Sequence, residues 1–136
     1  MKHLIITNAG AGLGLEKPFD LKEEINKSFK GLDYEIYETK GPRDATRFLK
    51  EYFAKPHELT RVYACGGDGT INEVVNGMAL AEKAELAIMP LGTGNDFAKT
   101  LGAMKDNIND YRNFSILING KTKDIDLSKI SGGHLE

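Results

Sequence analysis

The segment Val62-Tyr63-Ala64-Cys65-Gly66-Gly67-Asp68-Gly69-Thr70 runs an apolar stretch into three glycines and a carboxylate, and Ile71 to Gly77 behind it reads as a helix. Glycines at the carboxyl end of a strand let the backbone turn tightly with its N–H groups uncovered. A helix that opens there adds the positive end of its dipole, so the segment is an anion cradle. A second stretch, Pro90-Leu91-Gly92-Thr93-Gly94-Asn95-Asp96-Phe97-Ala98, repeats the pattern after the next apolar run, with a helix expected to open at Asn95 or Asp96. Two such turns side by side enclose a polyphosphate.

The same alternation continues on both sides. Leu4-Ile5-Ile6-Thr7 is a short apolar run with a polar stop at Asn8, as expected of a strand buried on both faces. Gly10, Gly12 and Gly14 form the loop after it. Leu21, Ile25, Phe29 and Leu32 then fall on one helical face, with Pro18 near its start and Gly31 at its end. Tyr34 to Glu38 predicts a second strand and Thr39-Lys40-Gly41-Pro42 a turn. Ala45, Phe48, Leu49, Tyr52 and Phe53 follow as an amphipathic helix that Pro56 ends. Arg61 to Cys65 is the third strand and Leu86 to Met89 the fourth, with Ile71, Val74, Val75, Met78 and Ala79 forming one apolar stripe between them. Downstream, a short helix follows Phe97-Ala98 and closes at Gly102. Another carries Tyr111, Phe114, Leu117 and Ile118 and stops at Gly120. Ile125 and Leu127 alternate with Asp124, Asp126 and Ser128 in a last strand with one face to water. Strands separated by helices at intervals of about thirty residues are right-handed βαβ units. The fold class is therefore α/β, a layered, largely parallel sheet flanked by helices, with its ligand outside the carboxyl ends of the strands.

Bulk properties narrow the function. A chain of 136 residues, 40% hydrophobic, fits one globular domain with a real core. Its net charge of −2 gives no basic surface for nucleic acid. The single cysteine, Cys65, excludes a disulfide framework and reads as a small buried residue. The amino end lacks a basic-then-apolar leader, and no apolar stretch approaches the ~20 residues of a membrane span, so a cytoplasmic chain with only peripheral membrane contact is expected. Leu135-Glu136 reads as a tag scar.

Asn8-Ala-Gly-Ala-Gly-Leu-Gly14 spaces its glycines G-x-G-x-G, short of the dinucleotide fingerprint, and no G-x-x-x-x-G-K-[ST] segment is present. Asp68 is the informative residue, because a carboxylate among phosphate-attracting N–H groups repels phosphate unless a cation lies between. Magnesium, which takes one or two carboxylates, waters and substrate phosphates, resolves the conflict with Asp68 and Asp96 as its protein ligands. Asp68 as general base, or as a mere cap of the turn, are the other readings. Thr70 and Glu73 have the T-x-x-E spacing of a capping box, compatible with ligand contact. Asn95 or Asp96 caps the next helix, leaving Thr93 and the N–H groups of Gly92 and Gly94 for phosphate oxygens. Thr39 sits on the ligand edge, and Lys40 and Lys99 are candidate cations beside it. His3, His57 and His134 are scattered without ligand spacing, and no Ser-His-Asp or Cys-His arrangement is legible.

Gly66-Gly-Asp-Gly-Thr70, Asn72-Glu-Val-Val-Asn-Gly77 and Pro90-Leu-Gly-Thr-Gly-Asn-Asp-Phe-Ala98 together resemble the catalytic domain of diacylglycerol kinases and related lipid kinases. Thr39 with Asp44-Ala45 resembles that family's segment after its second strand, and Lys123-Asp-Ile-Asp-Leu127 the run that leaves its first domain. The GGDGT motif alone is shared with NAD kinases, whereas its combination with PLGTGNDFA is specific. The resemblance implies a phosphofructokinase-like nucleotide-binding domain over residues 1–127, with 128–136 beginning the link to a second domain. It implies ATP against Asn8, Gly10, Gly12, Thr39, Gly66, Gly67, Asp68, Gly69, Thr70, Asn72, Glu73, Gly92, Thr93, Gly94 and Asn95. It also implies Mg²⁺ at Asp68 and Asp96, and Asp68 as the catalytic residue. The acceptor it implies is a lipid hydroxyl such as that of diacylglycerol, reached at a membrane surface, and a homodimer is the candidate assembly. The chain departs from the family at Asn8-Ala-Gly-Ala-Gly12, where the family usually reads N-P-x-S-G, so side-chain contact there is lost and backbone contact remains. The family's second domain, a β-sandwich, has no counterpart in these residues. An NAD kinase and a non-catalytic nucleotide-sensing domain are the rival expectations.

Overall fold

A computed structural model describes residues 1–8, 20–91 and 114–120. In chain order these form β1 (Lys2–Thr7), α1 (Leu21–Ser28), β2 (Tyr34–Glu38), α2 (Asp44–Ala54), β3 (Thr60–Gly66), α3 (Asp68–Gly77), β4 (Ala84–Pro90) and α4 (Phe114–Asn119). The strands make one sheet in the order β2-β1-β3-β4, every pairing parallel. This is the α/β class that the spacing of apolar runs predicts. The expected short helix after Phe97-Ala98, the last strand at Ile125 and Leu127, and the linking segment 128–136 lie outside the described residues. No helix among the described residues is long and apolar enough to cross a membrane.

Successive side chains of a strand point to opposite faces. Leu4, Ile6, Val62, Ala64 and Ile88 accordingly pack with Ala45 and Leu49 of α2 and Ile71, Val74 and Val75 of α3. Ile5, Tyr63, Cys65 and Met89 pack on the other face with Leu21, Ile25 and Phe29 of the α1 region and Phe114 of α4. Helices on both faces are why β1 and β3 read as unbroken apolar runs rather than as alternation. Each fully buried Leu or Ile contributes about 1.5–3 kcal/mol relative to an exposed one. α2 and α3 approach so closely that a Cβ on Gly77 stands 2.8 Å from the Leu49 Cβ, and the hydroxyl of Thr46 donates to the Glu73 carbonyl at 2.7 Å. The two helices therefore form one rigid layer beneath the carboxyl edge of the sheet.

Element ends follow local chemistry. α1 opens later than Pro18 alone indicates, because Asp20 caps it, its Oδ1 accepting from the Glu23 N–H at 3.1 Å. The helix ends at Ser28, and Phe29 remains in the core as its C-cap. Gly31, at φ +84°, turns the chain toward β2 as only glycine does without strain. At the amino end of the sheet, buried Arg61 donates to the Leu117 and Ile118 carbonyls at 2.6 and 2.9 Å and to Glu85 at 3.0 Å. Its positive charge meets the negative end of α4 there and ties that helix to β3. His3 and Tyr63 share a buried 2.7 Å hydrogen bond beside it.

Candidate functional site

The two glycine-rich stretches leave neighbouring strands at the same edge. β3 and β4 run parallel with Cys65 opposite Met89 and Gly66 opposite Pro90, and the Leu91 N–H donates to the Gly66 carbonyl at 2.9 Å. The first stretch can be followed onward. Gly92, Thr93, Gly94, Asn95, Asp96 and Lys99 of the second, like Gly10 and Gly12, lie outside the described residues.

α3 starts at Asp68, three residues before the apolar stripe begins. Its N-cap is Gly67, in extended conformation with no side-chain hydrogen bond. The expected capping box of Thr70 and Glu73 is therefore corrected. Thr70 already has helical backbone, and its hydroxyl accepts from Asn8 Nδ2 at 2.8 Å instead. The glycines are the physical reason, since they let the helix begin as soon as the strand ends. A glycine N-cap brings no oxygen of its own to the first N–H groups, which keeps the positive end of α3 suited to an anion. Asp68 is the first helical residue and half-buried, so it is not the N-cap.

Gly66 and Gly69 differ in kind. A Cβ on Gly66 stands 2.8 Å from Thr70 Oγ1 and 2.9 Å from Thr70 Cβ, so packing alone demands glycine there. A Cβ on Gly69 meets no described atom within 4 Å. Its missing side chain leaves backbone open to whatever approaches.

Asn8, Thr39, Gly69, Thr70 and Glu73 line one cleft of about 430 Å³ together with Lys40, Gly41, Pro42 and Ala45. Clefts of a few hundred Å³ are the usual size for small-molecule sites. Five residues singled out in the sequence are thus brought together from β1, the turn after β2, and α3. Gly66, Gly67 and Asp68 sit at the β3–α3 junction and Asn72 within α3, and none of them lines that cleft. Among the described residues no group of three or more His, Cys, Asp or Glu side chains is placed to hold a metal. Magnesium needs only one or two carboxylates, so Asp68 remains a suitable partial donor set.

Another wall is the turn 39–42. The Thr39 N–H donates to the Thr7 carbonyl at 2.8 Å, and Arg43 takes a left-handed backbone, φ 68°. Asp44 Oδ2 accepts from the Lys40 N–H at 2.8 Å and from the Tyr37 hydroxyl at 2.7 Å. Asp44 Oδ1 accepts from Arg47 Nη2 and Nε at 2.6 and 3.1 Å. Arg47 also donates to Tyr37 Oη at 3.2 Å and to Glu51 at 2.9 Å, while the Tyr37 ring stacks on Phe48 at 3.7 Å. The Tyr37 hydroxyl, the Lys40 N–H and Arg47 hold the Asp44 carboxyl down to about 2. The same Asp44 hydrogen bond raises the Tyr37 phenol and, with Glu51, strengthens the hold of Arg47 on its proton. Sequence reasoning took Thr39, Lys40 and the Asp44-Ala45 pair but not this network. Its one local signal is the i, i+3 spacing of Asp44 and Arg47.

Residues expected to stand aside do so. His3 bonds Tyr63 and His57 bonds the Glu58 carbonyl, both at the amino end of the sheet. His134 lies outside the described residues. Cys65 is fully buried, burial pushes its thiol up, and its Sγ reaches the Tyr63 carbonyl at 3.7 Å.

The chain is similar to known proteins. The profile of the diacylglycerol kinase catalytic domain matches residues 2–130. A diacylglycerol kinase of Bacillus subtilis is 38% identical over 112 residues, covering 80% of this chain and 36% of its own length. A Klebsiella pneumoniae protein named "Probable lipid kinase YegS-like" is 35% identical over 130 residues, covering 94% of this chain and 41% of its own length. The crystal structure of a Bacillus anthracis diacylglycerol kinase superposes with a TM-score of 0.65 at 35% identity, over 91% of this chain and 42% of that one. The chain thus spans about two fifths of the length of these relatives. It belongs to the diacylglycerol kinase catalytic domain family.

Proposed function

We propose that this chain is the nucleotide-binding part of a lipid kinase, which binds Mg·ATP at the carboxyl edge of its sheet and transfers the γ-phosphoryl group to a lipid hydroxyl such as that of diacylglycerol. Residues 1–127 form the ATP-binding domain and 128–136 begin the link to a further domain. The observation that carries this reading is the meeting of Asn8, Thr39, Gly69, Thr70 and Glu73 around one cleft at the glycine-capped amino end of α3. That end favours phosphate, and the bare backbone of Gly67 and Gly69 leaves N–H groups within its reach. Asp68 is the acidic group at the phosphate end and holds magnesium, with Asp96 as the second carboxylate. The ion, when bound, supplies charge neutralisation and polarises the phosphoryl oxygens. Asp68 is also the catalytic residue of this part, and the chain's remaining contribution is positioning and electrostatic stabilisation. Gly10, Gly12, Asn72, Gly92, Thr93, Gly94 and Asn95 complete the nucleotide contacts. The protein works in the cytoplasm and meets its lipid by peripheral membrane contact, and a homodimer is the proposed assembly. Membership of the lipid-kinase family disfavours the NAD kinase reading, in which a ribose hydroxyl is the acceptor.

Titration of the chain with Mg·ATP, followed by the backbone amide signals of residues 66–70, tests the reading. Those signals should shift together, and Asp68→Ala should weaken the response to Mg·ATP more than the response to metal-free ATP. Amide signals that stay in place at about millimolar Mg·ATP, the concentration range of many substrate sites, would falsify it.

A further inference from the structure

We infer that Asp44 is a positioning residue for this cleft: by accepting from the Lys40 N–H and the Tyr37 hydroxyl it fixes the turn 39–42 as one wall of the cleft that Asn8 and Thr70 also line. The inference rests on the Mg·ATP reading above. Thr39, Lys40, Gly41 and Pro42 all line the cleft, as does Ala45, whereas Asp44 does not. Its carboxylate therefore acts through the turn and not on a ligand. Both of its oxygens are committed, Oδ2 to Tyr37 and Lys40 and Oδ1 to Arg47, which leaves it poorly suited to a metal or a proton-transfer step.

The turn needs such a hold. Its first residue is tied to β1 by the Thr39 N–H on the Thr7 carbonyl, and its last part by the Asp44 N–H on the Gly41 carbonyl at 3.2 Å. Between these ties the chain passes through Arg43 in the left-handed region, which a non-glycine side chain occupies only where its neighbours enforce it. Asp44 supplies the enforcement from α2. Tyr37, stacked flat on Phe48 with 10° between the rings, gives the carboxylate an anchor on β2 as well. The carboxylate thus locks the strand before the turn to the helix after it. A wall already in place lets a nucleotide bind without first ordering the loop, and a released wall lowers the fraction of molecules ready to bind.

The test compares the unaltered chain with Asp44→Ala and Asp44→Asn. It follows the Lys40 and Gly41 amide signals without ligand, then the Kd for Mg·ATP. Asp44→Ala should move both signals and weaken Mg·ATP roughly tenfold, about 1.4 kcal/mol. Asp44→Asn keeps an acceptor oxygen for Lys40 and Tyr37 and should recover affinity to within about threefold, since the retained bonds are neutral rather than charge-assisted. A merely structural role would lower the unfolding midpoint of Asp44→Ala and leave the Kd of its folded form unchanged, and that result overturns the inference while the nucleotide reading stands. Absence of Mg·ATP binding by the unaltered chain overturns both. If Asp44→Ala does not fold, Tyr37→Phe removes one donor and keeps the ring stack. It should shift the same amides with a smaller loss of affinity, and wild-type shifts and affinity in that variant overturn the inference.

Discussion

The glycine-rich start of α3 and the turn between β2 and α2 border one cleft and are built in opposite ways. The first is bare: Gly67 and Gly69 carry no side chain, and a neutral bond, Asn8 Nδ2 to the Thr70 hydroxyl, ties it to the end of β1. The second is held by charge, with Asp44 and Arg47 fastening it from α2. A wall that offers N–H groups to phosphate has to keep side chains away, so its geometry comes from the strand and helix on either side of it. A wall that only bounds the cleft is free to use long polar side chains. The first should be sensitive to added volume, and the second to the loss of its charge.

The largest expected effect is at Gly66. Valine there drives its Cβ into the Thr70 Cβ, whose position is fixed by the helix backbone, so no rotamer change of Thr70 relieves the clash. The substitution should destabilise the chain by about 1–3 kcal/mol, the usual range for overpacking, and should break the Asn8–Thr70 bond. A urea melt measures the first and the Asn8 side-chain amide signal reports the second. An unchanged midpoint would mean that the β3–α3 connection is looser than its contacts indicate.

Gly69→Ala should do the opposite to stability. It lies in the first turn of α3 with no described atom in the way of a Cβ, so alanine should stabilise by roughly 0.4–1 kcal/mol through the unfolded chain. If its backbone is where phosphate approaches, the same methyl group weakens Mg·ATP binding. A variant that is more stable and binds worse separates the two reasons for a glycine. One that is more stable and binds equally well would remove Gly69 from the site.

How far these walls were legible depends on the range of the contacts that make them. The parallel sheet was readable because β1 and β3 are buried on both faces and so show as continuous apolar runs. Their ends extend further than the apolar residues, to Lys2, Thr60 and Gly66, because backbone pairing continues where hydropathy stops. The junction of β3 and α3 was readable because its glycines and its helix adjoin in sequence. Its helix start was misread at Ile71, since the apolar stripe marks the buried face and not the first helical residue. Asp20 was overlooked beside Pro18, although Asp20 and Glu23 have capping spacing. The clamp on the second wall joins a strand, a turn and a helix, and the left-handed Arg43 carries no glycine to betray it. Arg61 on the α4 carbonyls spans more than fifty residues and has no local signature at all.

The smallest effect is on pH, and it reads the charged hold on the second wall. Folding lowers the Asp44 pKa from its ordinary value of 3.8 to about 2, chiefly through the Tyr37 hydroxyl, so the unfolded chain takes up the proton first. Stability from this group is therefore complete above about pH 4, and it is lost as pH falls through about 2. Following the Lys40 amide signal from pH 5 to pH 2 should show it moving with a midpoint near 2, as long as the fold persists. In Asp44→Asn the Lys40 titration should vanish. A Lys40 midpoint near 3.8 would mean that Tyr37 and Arg47 do not hold the carboxylate in solution, and the contrast between a charged wall and a bare one would fail with it.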